Sequence, residues 1–121
     1  MNTNNGISAE VLKNESNELV NSVNILSEEL PKSDITFLSQ RLRISVKSLT
    51  EHLEMSFNST TKMDKVRSWI RLSIALKECR DTLDLIEKLK YANTSDIKMK
   101  VENFNQMLIA CQQSNSRTDI N

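Results

Sequence analysis

The sequence predicts an all-α protein, an antiparallel up-down-up-down four-helix bundle. Its 121 residues include one glycine and one proline, so the residues that usually mark turns and strand ends are almost missing. Four segments carry apolar residues at steps of three and four, the spacing of a buried helical stripe. Short polar connections between such segments force neighbouring helices to pack antiparallel. We expect a disordered tail over 1–7, the bundle over 8–113 and a frayed tail over 114–121.

The first predicted helix runs over 8–30, with Ser8 as its N-cap. Pro31 ends it, because the residue before a proline is pushed out of α geometry. The second helix follows a short turn, begins after a cap at Ser33 and continues to about Phe57. The buried stripes are predicted to be Leu12, Leu19, Val23, Leu26 and Leu30 in the first helix, and Ile35, Leu38, Leu42, Leu49 and Leu53 in the second.

The third predicted helix spans roughly 62–91, and Thr61 with Asp64 three residues on resembles a capping box at its start. A polar loop then leads to the fourth helix, which we expect Ser95 to cap. We assign the inward side of the third helix to Val66, Ile70, Ser73 and Leu76. The stripe of the fourth is Ile97, Val101, Phe104, Leu108 and Cys111.

The second and third helices carry more apolar residues than one buried stripe needs. With that inward side, Leu72 and Ile74 point to opposite flanks about 200° apart, and Trp69 widens the apolar arc. Phe37 and Ile44, seven residues apart, share a face about 140–160° from the predicted stripe. Such residues are either scattered exposed side chains, which are normal, or an oligomer interface. We favour the interface and therefore expect a homo-oligomer.

Charge is balanced overall but uneven along the chain. The 16 basic and 16 acidic residues give a net charge of zero, which argues against a dedicated nucleic-acid binder. Residues 8–30 are mainly acidic, whereas bases crowd the start of the third helix. These bases either pair with the acidic first helix or form a surface that contacts phosphates. They are Lys62, Lys65, Arg67 and Arg71.

No group of residues in the sequence forms a recognisable catalytic pattern. His52 is the only histidine, a metal site needs several ligands, and no nucleophile–base pair is visible. We therefore expect no enzyme activity, cofactor, metal or small-molecule substrate. Cys79 and Cys111 are expected to pack as small hydrophobes, the alternative being a disulfide or a reactive thiol. Without an apolar run for a signal peptide or membrane span, we expect a cytoplasmic protein with no membrane partner and reduced cysteines.

Four segments together resemble a known family. They are EELPKSD over 28–34, LSQRLRISVKSLTEHLEMS over 38–56, WIRLSIALKECRDTLDLIEKL over 69–89, and FNQML over 104–108. In order and spacing they are similar to the bacterial four-helix-bundle protein family encoded in intervening sequences of large-subunit ribosomal RNA genes. The resemblance covers roughly 15–113, and RLSIAL is its most specific element. It implies a four-helix bundle, often a ring-like homopentamer, without established catalytic residues.

A related branch of that family implies an alternative function. The accessory variability determinant proteins of retroelements form strongly basic pentameric barrels that work with a reverse transcriptase. By this resemblance the chain would be an accessory protein associated with nucleic acid, partnering ribosomal RNA or a reverse transcriptase. Asp81 and Asp84 follow Arg80 here, and together with the zero net charge they weaken this alternative. The surplus of apolar residues favours instead a non-enzymatic, self-associating scaffold or interaction module. The family's proline, asparagine and glycine in the second helix are replaced by Thr50, His52 and Ser56.

Overall fold

The computed structural model describes residues 8–31 and 36–120, and it confirms the all-α bundle. Helices adjacent in the chain pack side by side, and the first helix also packs against the fourth. The first and third helices therefore lie at diagonally opposite corners of the bundle. The predicted tail over 1–7 lies outside the described residues. The helices are α1 (Ala9–Glu29), α2 (Thr36–Asn58), α3 (Lys62–Lys88) and α4 (Ser95–Ile120).

Two of the predicted N-caps are confirmed. At Ser8 and at Thr61 the side-chain oxygen accepts a hydrogen bond from the backbone N–H three residues on, at 3.1 Å in both cases. The prediction for Ser95 is wrong, because α4 begins at Ser95 itself and the N–H of that residue donates to Asn93 Oδ1 at 3.0 Å. The predicted cap at Ser33 lies outside the described residues.

The ends of α3 and α4 differ from the prediction. The chain leaves α3 earlier because Lys90 adopts a left-handed backbone, with φ of 58°, and the Tyr91 N–H donates back to the Ile86 carbonyl at 3.1 Å. The backbone of α4 continues to Ile120, well past the predicted end at Gln113. Neither glycine nor proline interrupts that segment, so its backbone can continue as a helix.

The core of the bundle follows the predicted stripes in three of the four helices. Every described member of the stripes of α1, α2 and α4 is buried, and Val46 adds a further buried residue to α2. Ile35 lies outside the described residues. Phe104 is the largest fully buried side chain and is closed from solvent completely. A fully buried aromatic side chain of this kind removes about 150–250 Å² of surface from water.

The predicted inward side of α3 is wrong except at Leu76. Val66 and Ile70 are 48% and 55% exposed. Trp69 and Leu72 are buried, with only 7% and 1% of their surface exposed, although the sequence predicts them in an oligomer interface. Trp69 and Leu72 therefore belong to the core of the single chain and leave no surface for a partner. The buried side of α3 is completed by Ser68, Ala75, Leu76, Cys79, Thr82, Leu83 and Ile86.

Charged pairs along their edge connect α3 to α4. Lys98 Nζ lies 2.7 Å from Asp84 Oδ1 and 2.6 Å from Glu87 Oε1, and Arg80 Nε lies 2.8 Å from Glu102 Oε2. Hydrogen bonds to the two carboxylates raise the pKa of Lys98, and the Lys98 ammonium lowers the pKa of Asp84 and of Glu87. Asp84 and Glu87 of α3 thus contribute to its packing against α4.

None of the described helices is both long and apolar enough to cross a membrane.

Candidate functional site

Several large apolar side chains on the outer side of α2 and α3 lie in solvent. Phe37 and Ile44 on α2 are 78% and 58% exposed, and Ile70 and Ile74 on α3 are 55% and 58% exposed. Ile44 and Ile74 line the same groove between the helices, and the other two lie on the same sides of their helices. We call this surface, defined by Phe37, Ile44, Ile70 and Ile74, the α2/α3 face. Three of the five residues predicted for an interface lie on it.

The groove in the middle of the α2/α3 face is apolar inside and charged at its rim. Its volume is about 290 Å³, and Ile44, Ile74 and Ala75 form its apolar walls. Arg41 Nη2 lies 3.4 Å from Glu78 Oε1, so this ion pair links α2 and α3 across one end. Apolar area and arginine side chains are both common features of protein–protein interfaces.

His52 also lines this groove. Its Nδ1 is buried and makes no hydrogen bond with the described residues. The neighbouring hydroxyls of α2 bond to their own helix: Thr50 Oγ1 donates to the Val46 carbonyl at 3.2 Å, and Ser56 Oγ to the Leu53 carbonyl at 2.7 Å. α2 therefore continues unbroken through all three positions at which the family pattern differs.

Within residues 8–31 and 36–120, no three histidine, cysteine or acidic side chains come together as metal ligands. Both cysteines are buried and form no disulfide. Burial raises the pKa of the Cys79 thiol to about 11 and also raises that of Cys111. Because the thiolate is the reactive form, both thiols are poor nucleophiles in the folded protein. They pack as small hydrophobic residues.

The four bases at the start of α3 do not form one surface. Lys65 lies near Cys111 of α4, whereas Arg71 lines the groove between α2 and α3. At 100° per residue, Lys62 lies close to Lys65 around the helix, and Arg67 close to Arg71, on nearly opposite sides. Any phosphate surface built from these residues is therefore divided in two.

The bases at the start of α3 form no ion pair with an acid of α1 among the described residues. α1 and α3 lie on a diagonal of the bundle, so the charged flanks of the two helices do not meet. Arg67 Nη1 instead lies 3.9 Å from Asp64 Oδ1 in its own helix. Among the described residues, the ion pair from α1 joins Lys13 Nζ to Glu54 Oε2 of α2 at 3.6 Å.

Sequence reasoning missed part of the exposed apolar surface on α3. Met63 is 63% exposed, and Val66 and Ile70 accompany it on the outside, although we had assigned the last two to the core. A signal was present, because the line through Ile70 and Ile74 continues into Lys77 and then Asp81. A stripe that becomes charged halfway along a helix cannot be the core stripe.

Fold and surface together define the class of this protein: a small all-α four-helix bundle with an apolar outer face. One solved structure with this fold is the crystal structure of a protein with unknown function from the S23 ribosomal protein family of Bacteroides thetaiotaomicron VPI-5482. The two share 16% identity and a TM-score of 0.75 over 86% of this chain and 96% of that one, a likeness that shows the fold alone. No family model matches the sequence, and neither does any curated protein.

Proposed function

We propose that the protein is a non-enzymatic scaffold or interaction module that self-associates, with the α2/α3 face as the contact between copies. The observation that carries this proposal is the cluster of Phe37, Ile44, Ile70 and Ile74 in solvent on one side of the bundle. Each such side chain contributes about 1.5–3 kcal/mol when it is fully buried. Four of them together contribute at most about 6–12 kcal/mol, which is comparable with an association cost of about 4–15 kcal/mol.

The family resemblance supports a closed assembly of identical chains. The family encoded in ribosomal RNA intervening sequences often forms homopentamers, and we include membership of that family, a pentameric ring and a cytoplasmic location in the proposal. Most homo-oligomers of small proteins have closed symmetry, because closure satisfies every interface. The shared four-helix fold of the solved S23 ribosomal protein family structure supports the proposed family membership.

The alternative function, an accessory protein associated with nucleic acid, would require the bases of α3 to act together. The fold separates Lys62 and Lys65 from Arg67 and Arg71 around the helix, and Arg67 already has Asp64 within 3.9 Å. Two separate pairs of bases give few phosphate contacts and therefore weak binding. We accordingly favour self-association over RNA binding.

Sedimentation velocity tests the proposal through paired substitutions. The unmodified chain at tens of micromolar should sediment as an oligomer, and Ile44→Asp with Ile74→Asp should convert it to a folded monomer. Both positions are more than half exposed, so the two aspartates should leave the single chain intact.

Met99→Asp with Ile109→Asp is the matched control. These α4 residues are 62% and 45% exposed and lie outside the α2/α3 face, so this variant should keep the mass of the unmodified chain. A monomeric unmodified chain at this concentration would refute the proposed function. Equal loss of mass in both double variants would show that the contact is not specific to the α2/α3 face.

A further inference from the structure

The outward side of α1 is an acidic stripe with an apolar residue near each end. Val11 and Ile25 are 42% and 61% exposed and lie about 21 Å apart at 1.5 Å per residue. Glu18 lies midway between them and is also exposed. Steps of three and four place six exposed residues along one line of the helix: Val11, Asn14, Glu18, Asn21, Ile25 and Glu28. We call this line the outer stripe of α1.

The two surfaces carry opposite charge. α1 has five glutamates and one lysine, and Lys13 is already paired with Glu54 of α2. No ion pair that links described residues uses a glutamate of α1. The groove of the α2/α3 face has Arg41 and Arg71 at its rim against the single acid Glu78. Opposite charges around apolar residues are the arrangement that fixes the register of a specific contact.

One copy can use both surfaces at once. α1 packs against α2 and α4, so its outer stripe points away from the side of the bundle formed by α2 and α3. The two surfaces therefore share no residue. A contact between two different surfaces joins copies head to tail, and it closes into a ring when the rotation per copy allows it.

We infer that the α2/α3 face of one copy binds the outer stripe of α1 of the next copy. This inference rests on the proposed self-association and names the second half of the contact. Val11 and Ile25 meet the apolar residues of the α2/α3 face, and Glu18 meets Arg71, which no ion pair within the described chain engages. The contact is heterologous rather than a face pairing with itself.

A mixing experiment distinguishes this contact from a symmetric one. The first variant, Ile44→Asp with Ile74→Asp, has no working α2/α3 face, and the second, Glu18→Lys with Ile25→Ser, has no working outer stripe. Each is expected to sediment as a monomer by itself. An equimolar mixture should give a species of twice the monomer mass and nothing larger, because the first still offers its α1 and the second still offers its α2/α3 face.

The control keeps the change in net charge the same. Asn103→Lys with Gln106→Lys on α4 adds two positive charges, as Glu18→Lys does, and this variant should assemble as the unmodified chain does. Circular dichroism checks that every variant remains helical. Unmodified-like assembly of Glu18→Lys with Ile25→Ser would overturn this inference while leaving the proposed function intact. A monomeric unmodified chain would overturn both.

Discussion

The turn between α3 and α4 depends on Lys90, whose left-handed backbone is unfavourable for a residue with a Cβ atom. The cost is about 1–2 kcal/mol, and glycine escapes it at some cost in the entropy of the unfolded chain. Lys90→Gly should therefore raise the free energy of unfolding by about 0.5–1 kcal/mol, measured by urea denaturation. Lys88→Gly, within the last turn of α3, should instead lower it by a similar amount. A loss of stability with Lys90→Gly would contradict this account of the turn.

The buried thiol of Cys79 gives the protein a dependence on alkaline pH. Burial raises the pKa of this thiol from 9.0 to about 11, so the neutral form is favoured in the fold. Its contribution to stability is complete below pH 9 and is lost as pH rises from 9 towards 11, because the unfolded chain ionises first. The loss should total about 1–3 kcal/mol.

Urea denaturation of the unmodified chain and of Cys79→Ala between pH 8 and 11 measures this contribution. Other groups titrate in the same range in both proteins, so the difference between their slopes isolates the thiol. The unmodified chain should lose more stability across the window than the variant. Parallel slopes would show that Cys79 is not shielded as the structure has it.

At the scale of the helices, the sequence was sufficient to predict the buried side of a helix where one apolar stripe runs along its full length. In α1, for example, Leu12, Leu19 and Val23 have no competing line, so only one side could be buried. α3 carries two lines through its first half, one with Trp69 and Leu72, the other with Val66 and Ile70. The choice between them depends on the second half, where only the first line stays apolar through Leu83 and Ile86.

The corrected orientation of α3 predicts unequal costs for two neighbouring truncations. Leu72→Ala removes a fully buried side chain and should lower the free energy of unfolding by about 2–5 kcal/mol. Ile70→Ala removes a side chain that is 55% exposed, and its effect on the dilute chain should stay within about 0.5 kcal/mol. Thermal or urea unfolding at low protein concentration compares the two. A larger loss at Ile70 would restore the orientation that the sequence first suggested.

At the scale of the whole molecule, the candidate surface could be predicted only in part. Phe37, Ile44 and Ile74 stood out as surplus apolar residues in the sequence. Whether these residues lie on one side depends on how α2 and α3 are aligned. Contacts between the two helices, such as Arg41 with Glu78, show this alignment, whereas the spacing of residues within one helix does not. The division of the bases, by contrast, follows from helical spacing alone, because Lys62 and Lys65 lie nearly opposite Arg67 and Arg71 around α3.

We propose that each copy of the chain buries its α2/α3 face in the contact with another copy, and thiol labelling tests this self-association most directly. The native thiols should react only slowly with a thiol reagent, because Cys79 and Cys111 are buried and their pKa values are raised. Ile74→Cys introduces a thiol at the centre of the face, and Met99→Cys introduces one on α4 at a site of similar exposure.

The measurement is the rate of modification by a thiol reagent in dilute protein and at tens of micromolar. In the dilute chain both variants should react rapidly. At the higher concentration the rate for Ile74→Cys should fall at least about tenfold, a protection equivalent to about 1.4 kcal/mol, while that for Met99→Cys stays unchanged. Equal rates for Ile74→Cys at both concentrations would contradict the claim.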